Sequence, residues 1–509
     1  MAAIDVGTNS IHMIVVEAHR HGYRVIDKEK QMVQLGRDSL EGRPLTDEAM
    51  ERSVATLRTM ADIARRWNVD EIVAVATSAV REAPNRRRFL SLAEKASGIK
   101  LRVISGEEEA DYIYRAVRSA VDFHGGTAFM VDIGGGSIEL IVATGEEVFF
   151  THSEPAGALR LSQRFDLDGP AGAKVVEKCR SSVRKALKKP LARVAALGFD
   201  FAIGTSGTAL TLAELASEAS GNGEDVASGL RWLSRRRLEE LIDALAPLDV
   251  DARVRRFGLD PKRAATIVGG AITLDVIMEA LEIEQIRACD AALREGIVEV
   301  AIGKRAERGE RDLKAGSIRR AAVVGLAERT HVDMVHSLHV SKLALRIFDQ
   351  TQESHMLRTG ERELLEYAAL LHEAGMHVSY QGYHKHSYYL ISHAGLRGLT
   401  GDQVTVIANV VRYHRKATPE ESDRNFMQLS RWQRDVVRKL AAILRVADAL
   451  DRGRRGAVRD VAIDAGKKRF RFNLRLRDEA DVEREAVAKK TKYFARVFDR
   501  PVDFDIVTR

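Results

Sequence analysis

Residues 131–139 read VDIGGGSIE, and this stretch decides the fold of the chain. An apolar run, residues 127–131, leads into it, and a second apolar run, residues 138–142, leaves it. Short apolar runs on either side of a glycine-rich turn predict a strand, a tight turn and a second strand. The stretch therefore predicts a β-hairpin with an unusually small-residue turn.

The turn of this hairpin carries groups that bind phosphate and metal ions. Its glycines have no Cβ and let backbone N–H groups approach a ligand closely. These glycines are Gly134, Gly135 and Gly136. Asp132, Ser137 and Glu139 add two carboxylates and a hydroxyl to the same turn. The alternative is an ordinary glycine-rich hairpin without a ligand.

A second copy of the pattern stands near the N-terminus, where residues 4–11 read IDVGTNSI. Aligned with residues 131–138, it matches as apolar, Asp, apolar, Gly, two small or polar residues, Ser and Ile. An internal repeat of this kind predicts duplicated domains whose hairpins face each other across a cleft. The candidate phosphate-binding residues of this copy are Asp5, Gly7, Thr8, Asn9 and Ser10. With two such hairpins, the chain resembles the actin-like ATPase superfamily, in which paired hairpins bind phosphates.

The composition sets the outer limits of these predictions. A chain of 509 residues with 45% hydrophobic and 30% charged residues is typical of a soluble globular protein with three or four domains. The formal charge of +7 favours an anionic partner. Cys179 and Cys289 stand in unrelated contexts, so no disulfide framework is indicated. We expect no signal peptide, no membrane span and a cytoplasmic location.

A polar turn after a buried strand marks the ligand-binding edge of an open α/β sheet. The first such turn is TSAVR, residues 77–81, after the strand EIVAVA. Arg81 in this turn is suited to hold a phosphate with two hydrogen bonds; the alternative is a surface arginine. A second turn, GTSGT at residues 204–208, opens a helix and predicts an anion site. The family resemblance described below implies that Gly207 and Thr208 lie near the substrate.

Three adjacent glutamates, Glu107, Glu108 and Glu109, open the helix that follows the strand at residues 101–104. Ser105 and Glu108 fit a capping box, which gives Glu108 a structural role. Glu109 is left without one. Mutual repulsion raises the pKa of one of these carboxyls, and a carboxylate so tuned is a candidate general base. The alternative is three glutamates stabilised by the helix N-terminus.

The motifs Ser-Gly-x-Glu-Glu-Ala and Asp-x-Gly-Gly-Gly-Ser-x-Glu together resemble the exopolyphosphatase and guanosine pentaphosphate phosphohydrolase family. The N-terminal repeat, the turn ending at Arg81 and LREG at residues 293–296 match it as well. The resemblance implies that Glu109 is the catalytic base and that Arg81 contacts phosphate. It also implies that Asp132 and Glu139 hold Mg²⁺, and that the protein is a homodimer.

After a charged linker at residues 310–316, a helical region carries His336, His372-Glu373 and Asp448. This region resembles the HD metal-dependent phosphohydrolase superfamily, whose pattern has aspartate where Glu373 stands. The extra methylene of Glu373 shifts its carboxylate, and metal sites tolerate a change of only about 0.2 Å in metal–ligand distance. We therefore weigh a metal centre against a degenerate fold used for architecture, and expect most phosphate release to survive loss of His372 and Glu373.

The same region holds the densest cluster of histidines and basic residues, at 383–387 and 412–416. Lys385 and Arg415 are candidates to bind the distal phosphates of a long substrate; the alternative is a polar contact between domains. Beyond residue 457 the pattern strand, strand, helix, strand predicts a small α+β domain. The expected domains are actin-like at 1–122 and 123–308, HD-like at 309–456 and α+β at 457–509.

The function that these features predict is hydrolysis of the terminal phosphoanhydride of inorganic polyphosphate, with Glu109 as base and Mg²⁺ in the cleft. Guanosine pentaphosphate is the alternative substrate, since it presents the same bond. Two further classes stay open: an actin-like kinase, which needs an adenosine pocket near Gly269 and Gly270, and a non-catalytic binder of polyphosphate or RNA. Phosphate release without ATP discriminates among them.

Overall fold

The computed structural model describes residues 1–19, 22–37, 39–123, 125–218, 231–305, 318–466, 468–477 and 480–507. They form two compact units, Met1–Leu313 and Lys314–Arg509. The predicted linker at residues 310–316 lies outside the described residues, and the division into four domains stays a prediction. Across the described ranges, no helix combines the length and the apolar character that a bilayer crossing needs.

The first unit begins with a five-stranded sheet in the order β3-β2-β1-β4-β5. Its strands are β1 (Ala2–Val6), β2 (Ile11–His19), β3 (Gly22–Gln31), β4 (Ile72–Ala76) and β5 (Leu101–Val103). The first three strands are antiparallel, and β4 and β5 run parallel to β1. The helices are α1 (Asp47–Arg66), α2 (Ser78–Glu82), α3 (Arg86–Ser97) and α4 (Gly106–Ala120). Both α2 and α4 begin just after parallel strands, at the edge of the sheet where ligands bind.

A second, six-stranded sheet follows in the order β10-β11-β9-β6-β7-β8. Its strands are β6 (Ala128–Ile133), β7 (Ile138–Ala143), β8 (Val148–Glu154), β9 (Phe201–Thr205), β10 (Arg231–Ser234) and β11 (Gln285–Ala288). Read from β8, the order repeats that of the first sheet, with β10 added at the edge. The predicted duplication is therefore confirmed at the level of sheet topology.

The helices of this second half cover the duplicated sheet. They are α5 (Ala158–Arg164), α6 (Ala173–Leu197), α7 (Ser206–Glu218), α8 (Arg235–Leu245), α9 (Val250–Phe257), α10 (Pro261–Ala264) and α11 (Ile267–Ala280). Helix α11 is buried along nearly its whole length. Helix α7 starts directly after β9, as α2 starts after β4, so the two turns predicted to bind anions occupy equivalent places in the repeat.

Helix α12 (Leu293–Arg305) returns to the first sheet. Its apolar residues share one hydrophobic core with those of α4, for example Ile297 with Ile113. Gly296 is required at the crossing, since a Cβ there would lie 1.9 Å from the carbonyl oxygen of Tyr112. The close packing fixes the position of α4, the helix that carries Glu109.

The second unit is mainly helical and is described by itself. Its helices are α13 (Ile318–Arg329), α14 (Met334–Gln350), α15 (Gln352–His355), α16 (Thr359–Leu371), α17 (Tyr383–His393), α18 (Gly401–Tyr413), α19 (Arg424–Met427) and α20 (Arg431–Ala449), with a 3₁₀ turn at Ala374–His377. The predicted succession after residue 457 is confirmed as β12 (Val458–Ala465), β13 (Phe470–Leu476), α21 (Asp481–Phe498) and β14 (Val502–Val507). One hydrophobic core joins the longer helices of this unit with its three strands.

Candidate active site of the first unit

The two repeated hairpins close their turns in the same way. In the first, the N–H of Gly7 donates to the carbonyl oxygen of Ser10 at 3.0 Å; in the second, the N–H of Gly134 donates to that of Ser137 at 3.0 Å. The strand registers are equivalent too, since Asp5 pairs with residue 12 and Asp132 with residue 139. The repeat seen in the sequence is thus a repeat of turn geometry.

The two turns face each other and come into contact. A Cβ on Gly135 would lie 3.2 Å from the Cβ of Asn9. A Cβ on Gly136 would lie 2.5 Å from Oγ1 of Thr8 and 2.6 Å from Oγ of Ser78, which is too close for any side chain. These glycines are therefore needed for the halves of the first unit to approach. The predicted pairing of the hairpins is present in the structure.

Four buried carboxylates gather next to the hairpins: Asp5 on β1, Glu109 on α4, Asp132 on β6 and Glu139 on β7. Burial raises the pKa of every one of them. Repulsion adds to burial, because Glu109 raises the pKa of both Asp5 and Glu139. Anionic charge concentrated in a buried site favours binding of a cation or a proton.

Glu109 lies just after the capped first turn of α4, whose start is fixed at Ser105. Oγ of Ser105 accepts from the N–H of Glu108 at 3.0 Å, and the Glu108 carboxylate accepts from the N–H of Ser105, so the predicted capping box is confirmed. Nη1 of Arg81 donates to Oε2 of Glu109 at 3.0 Å and to the carbonyl oxygen of Ile104 at 2.9 Å. Burial raises the pKa of Glu109 to about 7, and Arg81 opposes this rise.

The other three carboxylates provide oxygen donors. Oδ2 of Asp132 accepts from Oγ1 of Thr205 at 2.6 Å, and Oε1 of Glu139 accepts from Oγ of Ser153 at 2.9 Å. Oδ1 of Asp5 is buried and has no hydrogen-bond partner among the described residues. A buried, unpartnered carboxylate oxygen beside two further carboxylates fits Mg²⁺, which prefers oxygen ligands and is usually held by one or two carboxylates.

Arg294 and His12, whose roles no sequence pattern indicated, lie beside Asp5. Nη1 of Arg294 donates to Nδ1 of His12 at 2.9 Å, and Nε2 of His12 lies 2.7 Å from Oγ of Ser10. Burial lowers the pKa of His12 to about 3, with Arg294 adding to the effect. The ring is therefore neutral, and because Nδ1 accepts, Nε2–H donates to Ser10. The charged pair Arg294-Glu295 inside the LREG motif could have pointed to this site.

A second missed feature is the ion pair that ties the halves of the first unit together. Nη2 of Arg160 lies 2.8 Å from both carboxylate oxygens of Glu82, and its Nε donates to the carbonyl oxygen of Gly136 at 3.1 Å. Oγ of Ser78 donates to the same Glu82 at 2.8 Å. The turn after β4 is thus fixed to the second hairpin. No local sequence pattern marks this pairing.

The turn after β9 has a supporting role in this structure. Oγ1 of Thr208 donates to the carbonyl oxygen of Ile133 at 3.0 Å and so holds the end of β6. A Cβ on Gly207 would lie 2.1 Å from Nη2 of Arg263, a guanidinium whose pKa burial lowers. A desolvated cation beside this turn suits an anion, and phosphate binding by Gly207 and Thr208 stays a prediction.

The remaining predicted residues belong to the second unit. Lys385 is exposed on α17. The guanidinium of Arg415 lies 4.8 Å from the ring centroid of Tyr383. The candidate metal ligands are brought together at the buried ends and faces of the helices: His336, His372, Glu373 and Asp448. Binding of distal phosphates by Lys385 and Arg415 stays a prediction.

The duplicated sheets with their paired hairpin turns define a protein of the actin-like α/β class. Two family models match the chain: the Ppx/GppA phosphatase family at residues 14–304 and domain III of the same family at residues 318–490. The chain belongs to the Ppx/GppA phosphatase family, whose members are hydrolases.

Similar proteins carry two different names within this family. A guanosine-5'-triphosphate,3'-diphosphate pyrophosphatase from Vibrio parahaemolyticus is 31% identical over 417 residues, which cover 82% of this chain and 80% of the relative. An exopolyphosphatase from Cytophaga hutchinsonii superposes with a TM-score of 0.56 at 26% identity, over 60% of this chain and 97% of its own. An exopolyphosphatase-like protein superposes with a TM-score of 0.55 at 27% identity, over 60% of this chain and 98% of its own.

Proposed function

We propose that the first unit hydrolyses the terminal phosphoanhydride of inorganic polyphosphate and releases orthophosphate. The observation that carries this proposal is the position of Glu109: buried, 3.0 Å from Arg81, and among three further carboxylates beside two glycine-rich turns. A base, a cationic phosphate ligand and a set of oxygen donors at one place are the groups that hydrolysis of a phosphoanhydride needs.

Glu109 takes the proton of the attacking water. A pKa of about 7 is close to the optimum for a general base at neutral pH, because the group is ionised often enough to act and basic enough to accept a proton. The water oxygen bonds to the terminal phosphorus as the bridging oxygen leaves with the shortened chain. The proton on Glu109 then returns to solvent or to the leaving oxygen.

Arg81 and the hairpin turns hold the terminal phosphate. Nη1 of Arg81 donates a hydrogen bond to Glu109. The other N–H groups of this guanidinium are available for phosphate oxygens. The glycine turns around Gly7 and Gly135 allow backbone N–H groups to come close to the same oxygens. This arrangement fixes the phosphorus opposite the base.

Asp132 and Glu139, with the unpartnered Oδ1 of Asp5, would hold Mg²⁺. When bound, the ion supplies positive charge that neutralises the phosphate oxygens. In its absence these carboxylates repel an anionic substrate, and their raised pKa values express the same excess of negative charge.

Guanosine pentaphosphate is the second candidate substrate, favoured by the Vibrio relative that matches both units of the chain. Its 5′-terminal phosphate is joined by the same kind of bond. The ratio of kcat/KM for long polyphosphate to that for guanosine pentaphosphate, measured with Mg²⁺, tests the choice. A ratio well above one supports the polyphosphate proposal, and a ratio well below one identifies guanosine pentaphosphate as the preferred substrate.

The kinase alternative is disfavoured by the packing around Gly269 and Gly270. Cβ atoms on these glycines would lie 2.8 Å from the carbonyl oxygen of Ala158 and 2.4 Å from Cγ2 of Thr208. The glycines therefore serve the contact of α11 with its neighbours. Release of orthophosphate from polyphosphate with no nucleotide present would exclude both the kinase and the purely binding alternatives.

A further inference from the structure

Two tyrosines of the second unit leave their rings in solvent. Tyr380, in the turn before α17, is 65% exposed, and Tyr389, within this helix, is 62% exposed. A tyrosine ring carries a large apolar surface, and usually only the hydroxyl end is kept in water. Two exposed rings in one short segment therefore present apolar surface that a partner can cover.

Cations lie beside both rings. The guanidinium of Arg415 lies 5.4 Å from the ring centroid of Tyr380 and 4.8 Å from that of Tyr383. Lys385 lies one helical turn before Tyr389 on α17, so the two side chains share a face of the helix. Each exposed ring thus has a positively charged side chain next to it.

A buried imidazole shows that several of these cations lie close together. Burial lowers the pKa of His384 to about 4, and the charges of Lys416, Lys385 and Arg415 act in the same direction. Three cations that act on one imidazole must surround it within the range of an electrostatic interaction. Positive charge is therefore concentrated at the start of α17.

This charge is not neutralised by carboxylates. Arg415 and Arg452 both lower the pKa of the Tyr380 hydroxyl, so Arg452 is a fourth cation of the group. The buried carboxylate of Glu373 is paired with Arg454. In the part of the chain that the structure describes, the four cations form no ion pair. We call this group the tyrosine surface; it consists of Tyr380, Lys385, Tyr389, Arg415, Lys416 and Arg452.

Unpaired cations attract an anion, and exposed rings attract a flat apolar partner. A chain of phosphates satisfies the cations and offers nothing to the rings. Single-stranded nucleic acid offers both, because its phosphates contact Lys and Arg while its bases stack on aromatic side chains. A double helix is disfavoured, since its bases stack on one another and do not reach protein rings. We propose that the tyrosine surface binds single-stranded RNA.

The hydroxyls of Tyr380 and Tyr389 favour RNA over DNA. A tyrosine hydroxyl both donates and accepts hydrogen bonds, as the 2′-OH of RNA does, whereas Lys and Arg side chains only donate. Stacking and phosphate contacts tolerate any base, so unstructured RNA of any sequence is expected to bind. The surface belongs to the second unit, and its binding does not depend on the reaction proposed for the first.

Fluorescence anisotropy with the full-length protein tests the proposal. The probe is a labelled oligouridylate of about 12 nucleotides, a length typical of single-strand binding sites. We expect a dissociation constant of about 10⁻⁶–10⁻⁴ M at physiological salt, which rises as salt is added. The matching oligodeoxyuridylate should bind more weakly. No saturable binding of the RNA, or equally tight binding of the DNA, would overturn the proposal.

Tyrosine variants distinguish RNA from inorganic polyphosphate, with Mg²⁺ left out so that hydrolysis does not remove the polyphosphate. Tyr380→Ala and Tyr389→Ala should each weaken RNA binding about tenfold and leave polyphosphate binding unchanged, because only RNA stacks on the rings. Tyr380→Phe keeps the ring and should retain most of the affinity while losing preference for RNA over DNA. Trp432→Ala, which removes an exposed ring of α20, is the matched control. Parental RNA binding in both alanine variants, or equal loss for RNA and polyphosphate, would contradict the proposal.

Lys416→Gln combined with Arg452→Gln tests the contribution of charge. If both cations contact phosphates, the slope of log Kd against log salt should fall by about 1.4, since each contact on a single strand contributes about 0.7. Lys489→Gln with Arg431→Gln, at exposed positions of the same unit, should keep the parental slope. Parental affinity and slope in Lys416→Gln with Arg452→Gln would exclude phosphate contacts at this surface. Melting curves identify any variant that fails to fold.

Discussion

The two buried ionic clusters of this chain are built from different donor atoms. The cluster of the first unit consists of the carboxylates of Asp5, Glu109, Asp132 and Glu139, with Arg81 as the cation that contacts Glu109. The second, which we call the histidine cluster, consists of His336, His372, Glu373 and Asp448 in the second unit. Its two imidazoles form hydrogen bonds through their Nδ1 atoms. One cluster thus presents oxygen alone, and the other presents nitrogen and oxygen.

This difference in donor atoms predicts a difference in chemistry. Crowded, buried carboxylates raise one another's pKa, which produces a base near neutrality and a demand for a hard cation. In the histidine cluster, burial opposes the charged imidazole, but hydrogen bonds to Asp448 and Asp451 raise the pKa of His336 to about 9. The two clusters therefore differ in charge: the first gathers carboxylates, and the second sets a charged imidazole among carboxylates.

The largest effect is expected from Glu109→Gln, which tests the oxygen cluster. Gln keeps the size of the side chain and cannot accept the proton of the water, so kcat should fall about 10²–10⁴-fold. Substrate binding should persist or tighten slightly, because a negative charge near the phosphates has gone. Glu108→Gln, one residue away, is the matched control and should retain kcat. If Glu108→Gln were the inactive variant, the assignment of the base would be wrong.

The next effect concerns pH. Because the pKa of Glu109 is raised to about 7, the ionised base forms as the pH rises through this value. The parent's kcat/KM should therefore climb about tenfold per unit below pH 7 and level off above it. Residual activity of Glu109→Gln should lack this rising limb. A parent profile that is flat between pH 5 and 7 would count against Glu109 as the base.

A smaller, chain-length-dependent effect is expected from Lys385→Gln combined with Arg415→Gln in the second unit. If these cations bind distal phosphates, KM for long polyphosphate should rise several-fold while KM for short chains changes little, and added salt should weaken long-chain binding more steeply. The matched control is Lys489→Gln with Arg431→Gln, which removes the same charge from exposed positions of the same unit. Equal losses for chains of every length would exclude an extended binding path.

The smallest effect is expected on stability, from Glu108→Gln. Glu108 caps α4 and pairs with Arg102, so its replacement should lower the free energy of unfolding by about 1 kcal/mol or less. Glu107→Gln, in the same first turn but outside the capping box, should lower the free energy of unfolding by less. Denaturant unfolding of both variants beside the parent measures the difference, and a larger loss for Glu107→Gln would reject the capping role.

Much of the first unit was predictable from sequence because its signals are local. A glycine turn between two apolar runs determines a hairpin, and two copies of one pattern determine two equivalent hairpins. The capping box is equally local: it gives Glu108 its structural role within four residues and leaves Glu109 free for the cluster. The actin-like class followed from these signals.

The tertiary structure decided what depends on residues far apart in the chain. Arg160 meets Glu82 and Arg294 meets His12 only after the sheets have packed, since no short-range pattern specifies such pairs. The pKa of Glu109 is likewise set by burial, by Arg81 and by the carboxylate of Asp132 on β6. In the second unit, Glu373 looked from the sequence like a broken ligand, and only the folded helices bring its carboxylate within 4.8 Å of donor atoms on His336 and His372. Local chemistry fixes turns and caps, whereas burial and long-range approach determine charge and coordination.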